Sequence, residues 1–408
     1  MASPPEQQPQ PGPPGPPDAA STRWRKAPVV MASVSLGAGF GLIFPVLAEF
    51  QDRYGFSTVG LGLISSASFV SALVSGLLLA QLADRGRARL LLVGGLVLSA
   101  LGLLWFAAGS ELWQFVGARV LEGLGAGVYF PAARRVVTAE SPTSAGHNLG
   151  VLTAAEHGGF LLGPAVGAFL AQVVSLPAPF LVIGASQLLL AGWVGVVRLP
   201  DVPERPAGGA SFTRSLVLAR RPPVAGSALL CLALFIPIGV YDALWSRYLT
   251  DRGASTAFIG LGLSLYAVPG ILLAPWGGRL ADRYGPVRCA TAAVVVIVPI
   301  VALYGLVAAP LVITAVAVLE SLPQAVAAPS VQTAMLRASG PADVSAGQGL
   351  ATSVEQVGAA AAALVSPLVY ERFGAGALFV GTAAVVAVVF AAGLVVDARG
   401  TVPTGAGP

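Results

Sequence analysis

Long apolar runs, separated by short polar segments, dominate the pattern of the chain. A helix that crosses a bilayer needs roughly 20 mostly apolar residues. Runs of that kind fall at Pro28–Phe50, Thr58–Gln81, Arg89–Gly109, Leu112–Val137, His147–Val174 and Ala178–Val197. They resume at Val224–Leu249, Thr256–Arg279, Arg288–Ala308, Pro310–Leu336, Ser345–Tyr370 and Ala375–Val396. The pattern predicts an all-α integral membrane protein with twelve transmembrane helices.

Composition agrees. Of 408 residues 55% are hydrophobic and only 10% charged, with a mean hydropathy of +0.80. Soluble domains carry about a quarter charged residues, so lipid must solvate most of this surface. The net charge of +4 does not point to nucleic acid, because the basic residues lie in short clusters between apolar runs. Cys231 and Cys289 lie in or beside such runs, and neither a disulfide framework, a metal-ligand spacing nor a cofactor is expected. With Lys26 the only lysine and Ala, Gly and Pro abundant, the coding bias is that of a GC-rich bacterial genome. The opening SPPEQQPQPGPPGPP cannot pack a core, and residues 1–27 are expected to form a disordered tail rather than a cleaved signal peptide.

Basic residues predict the orientation. One side receives Arg23, Arg25, Lys26, Arg85, Arg87, Arg89, Arg134, Arg135, the arginines of the central linker, Arg279, Arg283, Arg288, Arg337 and Arg399. The other receives Arg53, Arg247, Arg252 and Arg372. Both termini are therefore expected in the cytoplasm of a cell bounded by this inner, or plasma, membrane.

The chain also repeats. LADR at Leu82–Arg85 recurs at Leu280–Arg283, a shift of 198 residues that also carries Val120-Leu121-Glu122 onto Val318-Leu319-Glu320 and Pro131 onto Pro329. Ser144–Gly146 recurs at Ser345–Gly347, and Glu156 has a counterpart in Glu355. Two six-helix halves follow, 28–198 and 224–397, joined by a cytoplasmic linker at 199–223 and ended by a tail at 398–408.

Charges inside the apolar runs carry the candidate chemistry, since charge deep in a bilayer is costly. Arg119 and Glu122 lie at i and i+3 and can face each other. Glu156 falls near the middle of helix 5, and Glu320 and Glu355 are the repeat counterparts of Glu122 and Glu156. Four acids against one base leaves excess carboxylates, and burial disfavours the charged form of a carboxyl group. One or more of these acids is expected to bind protons, with Arg119 tuning the nearest. The bland alternatives are a static Arg119–Glu122 ion pair and structural hydrogen bonds at Glu156 and Glu355. His157, beside Glu156, offers a proton relay, though a lone helix-face histidine is more often structural. Glu49 and Asp242 lie toward the outer ends of helices 1 and 7, where carboxylates can simply meet water. In helix 5, Gly159, Gly163 and Gly167 recur every four residues and present one small-residue face.

Three stretches resemble the major facilitator superfamily: AQLADRGRAR with its second copy GRLADRYGPVR, RVLEGLGAG from Arg119, and the helix-5 run Gly150, Gly159, Gly163-Pro164 and Gly167. The first departs from the family signature at Ala80 and in the place of Gly86; the last is similar to the drug:proton antiporter branch, with Ala168 in place of a final Gly. The resemblance implies a secondary transporter working by alternating access, not an enzyme, functional as a monomer, with substrate and protons as its partners. It implies a cytoplasmic latch at Asp84, Arg85, Arg89, Asp282 and Arg283, although those arginines can also serve topology alone. It implies a state-dependent contact of helix 5 with the opposite half, against which ordinary tight packing stands. It places helices 1, 4, 7 and 10 around a central cavity, with Phe40, Phe44, Tyr129, Tyr241, Asp242, Trp245, Gln324 and Gln332 as candidate wall residues, unless the aromatics only pack within each half. Export of amphiphilic, drug-like compounds is the expected activity; uptake of a sugar or organic acid with protons, and a non-transporting sensor, are the alternatives.

Overall fold

In a computed structural model, residues 19–79, 86–139, 145–199 and 212–400 are described, and every regular element among them is an α-helix. The N-terminal half comprises α1 (Ala19–Tyr54), α2 (Thr58–Leu79), α3 (Ala88–Ala108), α4 (Leu112–Ala139), α5 (Ala145–Val173) and α6 (Ala178–Val196). A short linker helix, Phe212–Leu218, precedes the C-terminal half. That half opens with α7 (Pro222–Thr250), α8 (Thr256–Tyr284), α9 (Pro286–Tyr304) and α10 (Pro310–Ser339). Helical structure then runs over Val344–Gly400, but Gly374 has φ 78° and ψ 177°, which no helix accommodates, so two helices meet there, α11 (344–373) and α12 (375–400).

Nine of the described helical segments are long and apolar enough to cross a membrane. The segment at Val344–Arg399 counts once but holds two spans, and α4 and α5, at 28 and 29 residues, are long enough while carrying Arg119, Glu122 and Glu156. Twelve membrane helices result. Some edges differ from the apolar runs. Helix α1 starts at Ala19, inside the stretch expected to be tail, and the polar linker contains a helix.

The repeat in sequence is a repeat in packing. In the first half α1 packs on α5, and α2 and α3 pack on α4. In the second, α7 packs on the 344–400 pair, and α8 and α9 pack on α10. Between α1 and α5 the approach is close enough to need glycine on both sides: a Cβ on Gly163 would lie 2.6 Å from the Ala38 carbonyl oxygen and 2.9 Å from Gly41 Cα. The α7–α11 counterpart is Gly239, whose added Cβ would meet the Ala359 carbonyl oxygen at 2.0 Å. Without a hydrophobic drive between helices in lipid, such backbone proximity supplies much of the packing energy.

The hydrophobic cores reveal how the halves meet. One cluster is shared by both, running from Leu42–Phe50 of α1 through Phe106, Phe115 and Phe180 to Val240–Leu249 of α7, Tyr304 and Phe379. The other two clusters are private, one to each half. The shared core lies at the end of the bundle holding the α1–α2 and α7–α8 turns, and the private cores lie at the arginine-rich end. Close approaches of α2 to α11, at Gly62 against the Ala363 carbonyl, and of α8 to α5, at Gly260 against the Pro164 carbonyl, belong to the shared end.

Candidate functional site

Three glycines of α4 build the centre of the site. Gly123 and Gly127 seat α2 against the helix, where added Cβ atoms would meet the Ser68 and Ala72 carbonyls at 2.3 and 2.4 Å, and Gly125 does the same for α3 at Gly95. That approach brings Ser68 to Arg119. The guanidinium donates to Glu122 Oε2 at 2.6 Å and to Ser68 Oγ at 2.9 Å, and its Cζ lies 5.5 Å from the Phe40 ring centroid. Its third polar neighbour comes from the opposite half, with Asp242 Oδ2 of α7 3.6 Å away. Arg119, Glu122 and Asp242 are only 1–2% exposed. One buried cation thus serves two buried carboxylates, one from each half.

Asp242 therefore does not meet water near the mouth of α7. It is the second counter-ion of Arg119, 3.6 Å from the guanidinium. Glu49 is the exposed one, accepting from Thr256 Oγ1 across the halves at 2.9 Å.

In the second half Glu320 has no arginine partner among the described residues. Tyr241 of α7 and Tyr304 of α9 donate to its carboxylate at 3.1 and 2.5 Å, and Trp245 packs edge-on against both rings. Tyr304 belongs to a helix outside the expected cavity wall, and periodicity alone gave no sign of it. The remaining acids form a repeat-related couple nearer the arginine-rich end. Arg134 donates to Glu156 at 3.3 Å in the first half, and Gln332, 198 residues on, donates to Glu355 at 2.6 Å in the second. The Arg134 side chain is 51% exposed, while that of Glu156 is 12% exposed and its Oε1 is buried with no hydrogen bond among the described residues. His157 is exposed with its Nδ1 on the Thr153 carbonyl.

Other expected site residues fall in unexpected places. Gly159, Gly163 and Gly167 face α1 of their own half, not the opposite half. The cross-half contact of α5 is made instead by Leu161, whose carbonyl accepts from Ser264, and by Pro164 and Ala168 against Gly260. Gly150 is exposed with nothing near it. Tyr129 is fully buried and donates to the Val29 carbonyl at 2.8 Å, tying α4 to α1 instead of facing a cavity. Phe44 stacks edge-on with Phe160 of its own half, and Gln324 is half-buried. Asp84 and Arg85 lie outside the described residues. Of the other latch candidates, Arg89 caps α6 by donating to the Val197 carbonyl, Asp282 pairs with Arg337 at 2.9 Å, and Arg283 lies over Tyr284. Each of these contacts stays within one half.

Polar ties between the halves cluster at the shared core. Ser246 Oγ donates to the Pro45 carbonyl at 3.0 Å and accepts from Ala48 N at 3.1 Å. Arg247 pairs with Asp52 of α1 at 2.5 Å and with Asp251 of its own half.

The model of the Major Facilitator Superfamily matches residues 29–249 and 237–406. Among curated proteins, the chain is 28% identical over 217 residues to the quinolone resistance protein NorA of Staphylococcus aureus, covering 52% of this chain and 55% of that one. It is 28% identical over 273 residues to the multidrug resistance protein MdtG of Enterobacter lignolyticus, covering 64% and 65%. The matched region thus spans about half to two thirds of these relatives. Among solved structures, a bacterial homolog of the human lysosomal transporter Spinster, inward-facing and unoccupied, superposes with a TM-score of 0.80 at 13% identity over 93% of this chain and 98% of that one. The nucleoside transporter NupG superposes with a TM-score of 0.76 at 14% identity, over 91% and 98%.

Proposed function

We propose that this chain, which belongs to the Major Facilitator Superfamily and is a multi-pass membrane transporter, exports small amphiphilic compounds from a bacterial cytoplasm in exchange for protons. The observation that carries the proposal is Arg119 shared between Glu122 of its own half and Asp242 of the other. With both carboxylates ionised the cluster holds one net negative charge in a setting where charge is expensive, and a single proton removes it. Rocking of the halves takes Asp242 away from Arg119, and a proton then replaces the guanidinium as its partner. Proton binding and the position of the halves become one equilibrium, which is what coupled transport requires.

Direction is argued from charge. The arginine-rich end is assigned to the cytoplasm. On that assignment the shared core closes the outside, the private cores part toward the inside, and the described state is inward-facing, open to cytoplasmic substrate. Export of drug-like compounds is favoured by the resistance proteins among its relatives and by Phe40, which leaves an aromatic face beside the acids. Glu156, Glu320 and Glu355 remain further proton candidates, and the protein is taken to act as a monomer.

The test is reconstitution in liposomes with an acidic interior, following internal pH while cationic amphiphilic dyes are added. Dye-dependent proton efflux is expected, and its loss in Asp242→Asn with the fold intact. Absence of proton movement with every dye, together with protons carried by a sugar or organic acid, would replace export by uptake.

A further inference from the structure

The linker helix Phe212–Leu218 has two unlike sides. On one, Leu218 is buried in the private core of the second half, Ser215 Oγ donates to the Ala346 carbonyl at 3.0 Å, and Arg214 Nε donates to Asp343 Oδ1 at 2.5 Å. On the other, Leu216 and Val217 are 50% and 56% exposed, and the exposed Arg220 and Arg221 follow directly. Arg221 reaches Asp343 only at 3.4 Å, and the Arg220 side chain is exposed, with no ion pair or side-chain hydrogen bond among the described residues. Two guanidiniums, Arg214 and Arg221, therefore share one carboxylate, with the exposed Arg220 and two half-exposed aliphatic side chains beside them.

Location selects the occupant. Pro222 begins a helix that crosses the bilayer, so the segment just before it is held at the boundary of water and hydrocarbon. A short apolar surface flanked by arginines at that boundary suits acyl chains below and phosphate above. A guanidinium binds phosphate oxygens through two parallel hydrogen bonds, and a weak exposed ion pair gives one up at little cost.

We propose that the linker helix is an interfacial element that binds the headgroup of an anionic phospholipid through Arg220 and Arg221, with Leu216 and Val217 among the acyl chains. Asp343 holds Arg214 and so keeps the helix docked on the start of α11 while Arg221 turns to the lipid. This site is independent of the transport cycle and of the direction assigned to it.

The experiment places a bimane fluorophore at Val217→Cys, in full-length protein carrying Cys231→Ala and Cys289→Ala. The protein is reconstituted in vesicles of phosphatidylcholine and phosphatidylglycerol at four to one. Bromine is carried on the acyl chains of one lipid or the other, the surface composition being unchanged. Per mole of brominated lipid, phosphatidylglycerol is expected to quench more strongly. Replacing Arg220 and Arg221 by Gln is expected to reduce that preference by roughly five-fold per arginine. Inorganic phosphate in the buffer is expected to leave it unchanged, since the acyl contact is absent from the free ion. Equal quenching by both lipids would overturn the headgroup site, and no quenching by either would take the helix off the bilayer. The same label at Leu216→Cys guards against a local effect of one substitution.

Discussion

Two carboxylates on one buried guanidinium give a double-mutant cycle with an unusual sign. Asp242→Asn leaves Arg119 with Glu122 at 2.6 Å, a neutral pair. Glu122→Gln leaves it with Asp242 at 3.6 Å, again neutral. Coulomb attraction at 3.6 Å in a medium of effective dielectric 20 is on the order of 5 kcal/mol before desolvation. Much of that is offset for Asp242, because its charge is buried beside a cation already neutralised by Glu122. Asp242→Asn should therefore cost about 1 kcal/mol or less. Glu122→Gln loses a charge-assisted hydrogen bond and should cost about 1.5–3 kcal/mol. In the double variant the guanidinium, 1% exposed, has no carboxylate at all, and a buried charge stripped of its partner costs a further 3–5 kcal/mol or so. The loss should exceed the sum of the singles by about 2 kcal/mol or more. Thermal denaturation in detergent, read as the fraction still monodisperse after heating, ranks the four proteins, and chemical unfolding in mixed micelles gives the energies. An additive double variant, or an Asp242→Asn as damaging as the double, would refute the shared-cation geometry.

The glycine contact between α1 and α5 predicts that Gly163→Val destabilises by roughly 1–3 kcal/mol, because its Cβ meets backbone that cannot swing aside. Gly158→Ala, with nothing within 4 Å, should be neutral in the same melting assay, and equal midpoints for the two would sink the argument. At the shared core, taken as the closed end in the proposed inward-facing state, Arg247→Gln removes the ion pair with Asp52. A partly exposed pair of about 1 kcal/mol converts to a roughly five-fold shift toward opening there. The shift is read as faster modification of Ala48→Cys, now 1% exposed, by a membrane-impermeant thiol reagent in a background without Cys231 and Cys289. An unchanged rate would mean that Ser246 and the aromatic core hold the end shut alone.

Architecture was largely legible in the sequence because lipid imposes a single strong rule, that apolar length equals a span. Arg119 and Glu122 were legible for a similar local reason, since residues three apart on a helix must meet. Cross-helix partners obey no such rule. Asp242 lies 123 residues from Arg119, and only the register of α7 against α4 decides that it points inward and not to the mouth. The helix-5 glycines show the same limit. Their spacing reveals a face but not its partner, and the complementary Gly37 and Gly41 on α1 were the available sign that the partner lies in the same half. Tyr304 escaped notice because its hydroxyl matters only through Glu320.

At equivalent positions the two halves differ in a way that bears on the proposed coupling. Glu122 and Glu320 are repeat mates, but the place of Arg119 is taken by Ala317, and that of Ser68 by Tyr266, whose hydroxyl is buried without a partner. The first half keeps an acid with its own base and has a cation to share. The second keeps an acid among phenols and sends a different carboxylate, Asp242, across the interface. Glu320 bonds only to residues of its own half, so its hydrogen bonds survive a rigid rotation of the halves, while the Arg119–Asp242 contact does not. A proton on Glu320 is then a property of one body, and a proton on Asp242 is a property of their arrangement. On the proposed mechanism, Asp242 rather than Glu320 is therefore the position where protonation and alternating access would be linked.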